Sequence, residues 1–254
     1  MPESRQYSAE YYDAFEWPLH DVELYSQFTS PDTEVLELGC GTGRVSGPLA
    51  KKSKHLTGVE ISEPMLHQAK EKCKEPNISF NLDDITSLNL NKKFDLIIAP
   101  FRVLQCLEHQ NQVDGFFNVI HDHLKPNGVA ILNVFNPKFS KDELAEKWLT
   151  EEETFCGETL LQNGDTLKLW DTRKDLDVVS QVLYPEMIYR RYRNGELVDT
   201  HVNPICMRYW YPDQFKQLIE SKGFTITKTW GGYSGEVYGE GPELVIAFTK
   251  SSHQ

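Results

Sequence analysis

The sequence predicts an α/β protein: a doubly wound, mostly parallel sheet of seven strands, with a small antiparallel sheet inserted after the fifth strand. Three observations lead to this prediction. Short apolar runs alternate with helical patterns over roughly the first 135 residues. Extended aromatic and β-branched runs then flank Asn-Gly pairs across residues 155–211. From Pro212 onward, the alternation of helix and strand resumes.

Each strand predicted for the main sheet is a short and nearly continuous apolar run. Such runs are typical of parallel strands, because helices cover both faces of a parallel sheet. The first five lie at residues 35–38, 55–60, 78–82, 94–99 and 129–134. Runs at 225–230 and 244–248 are expected to complete the sheet.

Helix signals lie between these strands. Ser62 is a favourable N-cap and Pro64 suits the first turn, so a helix is expected to begin there. Apolar residues at i, i+3, i+4, i+7 and i+11 from Val113 predict a core-facing helix that ends at the turn 125–128. Pro212 opens a third helix. The repeated order of strand, helix and strand predicts the doubly wound sheet.

Two pairs, Asn163-Gly164 and Asn194-Gly195, predict the hairpins of the inserted sheet, because Asn-Gly supplies the positive φ angles of a type I′ turn. A two-hairpin sheet is too small to be stable alone, so we expect it to dock on the main body as a lid over a ligand. The predicted organisation has three parts: a core with an N-terminal helical cap, the lid, and a C-terminal helix with the last two strands. They lie at residues 1–137, 138–211 and 212–254, respectively.

The charge balance narrows the classes of partner. Lys and Arg number 26 and Asp and Glu number 38, which gives a net charge of −12. Such an acidic surface repels phosphate backbones, so we expect neither nucleic acid nor a membrane as a partner. No apolar run approaches the roughly 20 residues that span a bilayer. The polar N-terminus shows no signal peptide.

The five cysteines are odd in number, scattered and without a CxxC pair. They predict a reduced, cytoplasmic protein that has neither a disulfide framework nor a zinc knot. His121 and His123 are two residues apart and would point to different faces of a helix, and no set of Asp, Glu and His has metal spacing. We therefore expect no metal.

The most informative segment joins a buried strand to a helix through three alternating glycines, Gly39, Gly41 and Gly43. Glycine allows a tight turn and the close approach of a ligand, and the following helix offers free N–H groups. A dinucleotide fingerprint would need glycine where Arg44 stands, and a P-loop would need Gly-Lys-Ser or Gly-Lys-Thr. Both fit worse than G-x-G-x-G. A tight turn without a ligand stays open as the alternative.

Acidic residues follow the next two strands. Glu60 ends the second strand, where a carboxylate can accept both ribose hydroxyls of a nucleoside. Asp83 or Asp84 could accept a hydrogen bond from an adenine amino group, and Ile85 could cover the ring. Solvated acids at strand ends are the alternative in both places. With the glycine loop, these residues outline an adenosine site at the carboxyl edge of the sheet.

These motifs together resemble those of the class I S-adenosylmethionine-dependent methyltransferases, over most of the chain. The matching segments are 37–43 (ELGCGTG), Glu60, Asp84-Ile85, 94–102 (FDLIIAPFR) and 124–128 (LKPNG, with Asn127 where the family commonly has glycine). Tyr12-Asp13, 135–137 (FNP) and 233–235 (YSG) resemble a bacterial subgroup whose members carry a small β-sheet over the site and act mostly on small molecules.

The resemblance implies a Rossmann-like methyltransferase fold with S-adenosylmethionine as cofactor. The glycines would contact its methionine portion, Glu37 would orient the loop and the amino group, and Ile61 and Ile85 would cover the two faces of the adenine. Tyr12 would close over the cofactor, although a buried packing tyrosine fits as well. The expected cofactor-binding residues are Tyr12, Glu37, Gly39, Cys40, Gly41, Gly43, Arg44, Glu60, Ile61, Asp84, Ile85 and Pro100.

Methyl transfer from a sulfonium requires mainly that two reactants be positioned and water excluded, so a catalytic base is optional and the sequence assigns none. Candidates for contacting the substrate are Arg102, Tyr209 and His201, in that order. Arg102 could equally pair with a surface acid. Ala99 stands where enzymes that methylate base amines usually have Asn or Asp, which disfavours a nucleic-acid acceptor.

The expected function is therefore methyl transfer to a nitrogen or oxygen of a small molecule, by a monomer or homodimer. Methylation of a protein or RNA, or a non-catalytic cofactor-binding homologue, is the alternative. The complete glycine loop with Glu60 argues against the non-catalytic homologue.

Overall fold

The structure, a computed structural model, describes residues 9–15 and 19–251. The chain divides into two compact units. The larger unit comprises Pro18–Pro137 and Tyr209–Gln254, and the smaller unit comprises Met1–Trp17 and Lys138–Arg208. Residues 9–15 are thus grouped with the inserted segment.

Strands and helices alternate along the first half of the described chain, and strands predominate after it. The strands are β1 Glu34–Leu38, β2 His55–Glu60, β3 Ile78–Leu82, β4 Phe94–Ala99, β5 Leu124–Phe135, β6 Thr150–Leu160, β7 Thr166–Asp177, β8 Val182–Arg193, β9 Glu196–Pro204, β10 Met207–Arg208, β11 Phe224–Trp230 and β12 Glu243–Lys250. The helices are α1 Ala9–Asp13, α2 His20–Ser26, α3 Ser46–Ala50, α4 Glu63–Lys72, α5 Gln110–His123, α6 Lys141–Trp148 and α7 Pro212–Ser221. A 3₁₀ turn covers Val103–Cys106.

The larger unit contains a seven-stranded sheet in the order β11-β12-β5-β4-β1-β2-β3. All neighbouring strands are parallel except at β12, which pairs antiparallel with both β5 and β11. The smaller unit contains an antiparallel sheet in the order β10-β8-β7-β6, and β9 pairs with β8. The predicted fold class is therefore confirmed.

The two faces of the main sheet pack into two separate cores, because successive side chains of a strand point to opposite faces. On β1, Leu36 and Leu38 belong to one core and Val35 to the other. On β4, Ile97 and Ile98 divide in the same way. This double burial explains the continuous apolar runs of the sequence. Within residues 9–15 and 19–251, every helix is too short or too polar to span a bilayer.

The turn predicted at residues 125–128 lies within β5, which begins directly after α5 ends. In the β4–β5 pairing, Phe94 lies opposite Leu124, and Leu96 lies opposite Val129. Residues 125–128 are therefore an excursion of β5, a bulge in which β5 has more residues than β4. Pro is tolerated at such an irregularity, where no ladder hydrogen bond is needed. The helix ends there as predicted. The pairing between β4 and β5, however, is present both before and after residues 125–128.

The two Asn-Gly pairs differ. Asn194 (φ 51°) and Gly195 (φ 85°) both adopt positive φ, as a type I′ turn requires. At the first hairpin only Gly164 does (φ 85°), so the type I′ prediction is wrong there. The backbone N–H of Gly164 instead donates to the carbonyl of Leu161 within a longer loop between β6 and β7. At this first hairpin, Gly164 has the positive φ that the motif predicts, whereas Asn163 does not.

Helix α6 was not predicted from the sequence. Ser140 precedes it, and the Ser140 hydroxyl accepts a hydrogen bond from the backbone N–H of Glu143 while the Glu143 carboxylate accepts from Ser140 in return. This is a capping box, and the spacing of Ser140 and Glu143 is its sequence signature.

Candidate functional site

The carboxyl ends of β1, β2 and β4 meet at one edge of the main sheet. The strand order changes direction at the β1–β4 pair, and ligands of open α/β sheets bind in the crevice at such a point. The glycine loop leaves β1 here, Glu60 ends β2, and Pro100 follows β4. The residues predicted from the glycine loop, from the end of β2 and from the end of β4 therefore lie at one place; they are Glu37, Gly39, Cys40, Gly41, Gly43, Arg44, Glu60, Ile61 and Pro100.

The glycine loop has left-handed backbone at Gly39 (φ 72°), Gly41 (φ 54°) and Gly43 (φ 82°). A Cβ on Gly39 would lie 2.7 Å from a methyl carbon of Val103, and one on Gly43 would lie 2.7 Å from the sulfur of Cys73. A Cβ on Gly41 would meet no atom of the chain within 4 Å. Packing therefore requires glycine at Gly39 and Gly43, whereas Gly41 borders open space.

Glu60 holds the glycine loop as well as ending β2. Its Oε2 accepts a hydrogen bond from the backbone N–H of Gly41 at 3.0 Å. Its Oε1 accepts from the N–H groups of Ile61 and Ser62 at 2.9 and 2.8 Å. A carboxylate offers about four acceptor positions, so about one remains for a further donor.

Glu37 lies inside β1 beneath the loop and is only 1% exposed. The hydroxyl of Ser46 donates to its Oε2 at 2.5 Å. Burial raises the pKa of Glu37 to about 8, although the Ser46 hydrogen bond and the positive charge of Arg44 act in the opposite direction. At neutral pH, the carboxyl is therefore mostly protonated in the folded chain.

This raised pKa predicts a pH-dependent stability. Between pH 4.5, the ordinary pKa, and about 8, the folded chain holds a proton on Glu37 that the unfolded chain has lost. Stability should thus fall as pH rises through this window, by up to about 1.4 kcal/mol per pH unit. Glu37→Gln lacks this titration, so the parent should lose stability relative to Glu37→Gln from pH 5 to 8. Urea denaturation of both proteins measures the difference, and a constant gap would contradict the pKa assignment.

Arg44, at the end of the loop, is bound to a buried acid of α2. Its Nη1 and Nη2 donate to Oδ1 and Oδ2 of Asp21 at 2.9 and 2.5 Å. The Arg44 guanidinium also lies 5.2 Å from the centre of the Phe101 ring. The cofactor contact expected of Arg44 stays a prediction, and the structure adds that this side chain ties α2 to the loop.

The acids after β3 differ in their surroundings. Asp83 is exposed, and Asp84 is half-buried. Oδ1 of Asp84 accepts from the N–H and the hydroxyl of Thr86, both at 2.8 Å. These bonds fix the orientation of the Asp84 carboxylate. Ile85 is buried and Ile61 is half-buried.

The substrate candidate Arg102 is engaged by an acid of β12. Its Nε donates to Oε1 of Glu243 at 3.0 Å, and its Nη2 forms a further ion pair with the same oxygen. The side chain of Arg102 is still 41% exposed. The sequence left two roles open for Arg102, a contact with the substrate and an ion pair with an acid. The structure contains the ion pair. A substrate contact stays a prediction.

The remaining predicted residues belong to different units. Tyr209 is fully buried in the larger unit, with its ring 5.9 Å from that of Tyr211. Tyr12 (half-buried) and His201 are in the smaller unit. The His201 ring lies 6.4 Å from those of Tyr11 and Tyr189. The roles expected for Tyr12, Tyr209 and His201 stay predictions.

Four polar residues of this edge were not predicted. Each is buried and forms a hydrogen bond with one of the predicted site residues Glu37, Arg44 and Arg102. They are Asp21, Ser46, Asn133 and Glu243. Asn133 stands within the apolar strand β5, where a polar residue interrupts the pattern, and that interruption was the available signal; Glu243 begins the apolar strand β12. Among the described residues, no three His, Cys, Asp or Glu side chains gather as a metal site would require.

Residues 35–128 match a family model described as a methyltransferase domain. Ubiquinone biosynthesis O-methyltransferase of Rickettsia canadensis is 31% identical over 105 residues, covering 41% of this chain and 43% of that protein. The chain thus spans about two fifths of the length of the Rickettsia relatives that it matches. The putative methyltransferase YqeM of Bacillus subtilis is 26% identical over 194 residues, covering 76% of this chain and 73% of that protein.

Two solved structures illustrate the likeness in fold. The CcbJ methyltransferase from Streptomyces caelestis has a TM-score of 0.75 at 23% identity, covering 98% of this chain and 100% of that chain. KedS8, described as a sugar N-methyltransferase from Streptoalloteichus, has a TM-score of 0.69 at 14% identity, covering 98% and 90%. Residues 35–128 are thus similar to a methyltransferase domain, and the chain shares its fold with solved methyltransferases.

Proposed function

We propose that this chain transfers a methyl group from S-adenosylmethionine to a nitrogen or oxygen atom of a small-molecule acceptor. The observation that supports this most is the open space at Gly41, beside a carboxylate at the end of β2. Backbone without a side chain, next to an acid that can accept a ribose hydroxyl, suits a nucleoside cofactor.

The residues of this edge also fit the charge of the cofactor. S-adenosylmethionine carries a positive ammonium, a positive sulfonium and a negative carboxylate, so it is a net cation. Glu60 and Asp84 present carboxylates around the crevice, while the positive charges of Arg44 and Arg102 are paired with Asp21 and Glu243. The crevice therefore favours a cationic ligand.

When bound, the cofactor supplies a methyl group already activated by its positive sulfur. The glycine loop would hold its methionine portion against backbone N–H groups, and Glu60 would accept a ribose hydroxyl while keeping its bond to Gly41. Asp84 and Ile85 would bind the adenine. Holding two reactants in line can contribute roughly 7–11 kcal/mol, so the chain needs no strong base, and we assign none.

The acceptor side of the proposal depends on the inserted segment 138–211. This segment follows β5, whose carboxyl end lies at the ligand-binding edge of such sheets, and we propose it as a substrate lid on that ground. Its aromatic residues suit a compact organic acceptor with an amine, hydroxyl or carboxyl group. The strongly negative net charge disfavours a nucleic-acid acceptor.

Calorimetry with S-adenosylhomocysteine and with NAD tests the cofactor assignment. We expect micromolar or tighter binding of S-adenosylhomocysteine and no comparable signal with NAD. Labelled S-adenosylmethionine, incubated with the protein and a small-molecule extract, should then yield a labelled methylated product. Binding of NAD alone, or binding of S-adenosylhomocysteine with no transfer to any acceptor, would refute the proposed activity.

Glu60→Gln probes the ribose contact directly. A hydrogen bond to a charged group exceeds one to a neutral group by about 1 kcal/mol, so affinity for S-adenosylhomocysteine should fall about 5- to 10-fold. Glu34→Gln is the matched control, because Glu34 begins β1 at the opposite edge of the sheet and pairs with Lys54 and Lys92. Equal affinities of the parent and Glu60→Gln would remove Glu60 from the site.

A further inference from the structure

The tip of β4 adopts a backbone conformation that L residues rarely adopt. Phe101 (φ 56°) and Arg102 (φ 66°) are consecutive left-handed residues, and neither is glycine or asparagine. Such residues cost stability and persist only where their surroundings hold them. They concentrate at functional sites.

A buried polar clamp holds this conformation. The backbone N–H of Arg102 donates to Oδ1 of Asn133 at 3.2 Å, and the Arg102 side chain is paired with Glu243. Nδ2 of Asn133 in turn donates to Oε2 of Glu243 at 3.0 Å. Because Asn133 and Glu243 are themselves buried, backbone and side chain of Arg102 are fixed together.

The clamp presents the ring of Phe101, which is 47% exposed. Burial stabilises a side chain in proportion to the apolar area removed from water, and about half of the surface of Phe101 stays accessible to solvent. The ring lies beside the glycine loop, because Arg44 contacts its face and the methyl groups of Val103 occupy the space beside Gly39. Phe101 thus stands at the β1–β4 crevice, on the side opposite Glu60.

We propose that Phe101 is a cofactor-binding residue whose ring recognises the positive sulfonium of S-adenosylmethionine. A cation is attracted to the negative face of an aromatic ring, whereas the neutral thioether of S-adenosylhomocysteine is not. The charge of Arg44 on the ring is balanced by its two bonds to Asp21, so a second cation is tolerated. Phe101 therefore favours the reactive cofactor over the spent product. This inference rests on the proposed function.

Calorimetry of the parent and Phe101→Leu with three ligands tests the inference. The ligands are S-adenosylmethionine, S-adenosylhomocysteine and sinefungin, which carries an ammonium near the position of the sulfonium. Phe101→Leu should bind the two cationic ligands about two- to fivefold more weakly. Its affinity for S-adenosylhomocysteine should change less than twofold. Phe101→Trp should retain the preference for the cationic ligands.

Phe155→Leu is the matched control: the same substitution at a ring that is 53% exposed and packs against Trp170 of the smaller unit. It should leave all three affinities unchanged. A uniform loss across the ligands in Phe101→Leu, or no loss, would overturn the inference while leaving the proposed function intact. If the parent binds none of the three ligands, both the proposed function and this inference are refuted.

Discussion

Replacing Arg44 by alanine should lower the free energy of unfolding by about 3–5 kcal/mol, because removal of one partner of a buried ion pair leaves an uncompensated charge. Asp21 is 5% exposed and is bound through both of its oxygens to Arg44. Urea denaturation at neutral pH, with linear extrapolation to water, measures the loss.

Two further variants show whether the loss of stability comes from leaving a buried charge unpaired or only from losing an ion pair. Arg190 makes an equally bidentate pair with Glu153, but more exposed, so Arg190→Ala should cost less than about 1 kcal/mol. The double variant Asp21→Asn with Arg44→Met removes both charges and should recover much of the stability. A loss in Arg44→Ala no larger than that in Arg190→Ala would show that the pair is effectively solvated.

Gly41→Ala should weaken binding of S-adenosylhomocysteine by about 100-fold while leaving the fold intact. The added methyl group meets no atom of the chain within 4 Å, so the protein itself accommodates it apart from the strain at φ 54°. It would instead fill the space proposed for the cofactor. Overpacking at a rigid site costs up to about 3 kcal/mol, which corresponds to about 100-fold in affinity.

The control for Gly41→Ala is Gly223→Ala, after α7 in the same unit. Gly223 also has positive φ (81°) and no atom within 4 Å of its would-be Cβ, so the two substitutions impose similar backbone strain. Calorimetry and thermal denaturation of both variants should show similar stability losses and a binding loss only in Gly41→Ala. Unchanged affinity in Gly41→Ala would place the cofactor elsewhere.

The parts of the fold that the sequence predicted are those that depend on local pattern. The apolar strands, the glycine loop and the helix begun by Ser62 and Pro64 each carry their signal within a few residues. The excursion at 125–128 and the loop around Gly164 were misread in detail, because the geometry of a turn also depends on how the flanking strands pair.

The clamp at the site could not be predicted in this way. Arg102 and Glu243 are 141 residues apart, and Asn133 and Glu243 are 110 apart. No periodicity connects residues at such separations, and only the position of β12 beside β5 brings them together. The sequence thus indicated which residues approach a ligand, but not which residues hold them in place.

The position of β12 also bears on how the chain folds during synthesis. β5 is complete by Phe135, yet its partner β12 begins only at Glu243, and its residues Glu243–Phe248 pair with β5. While the ribosome adds the residues between, one edge of β5 has no partner, and an unpaired apolar edge invites association with other chains. Strand β12 thus joins the sheet between β5 and β11, and the nascent protein depends on this delayed, long-range pairing to escape aggregation.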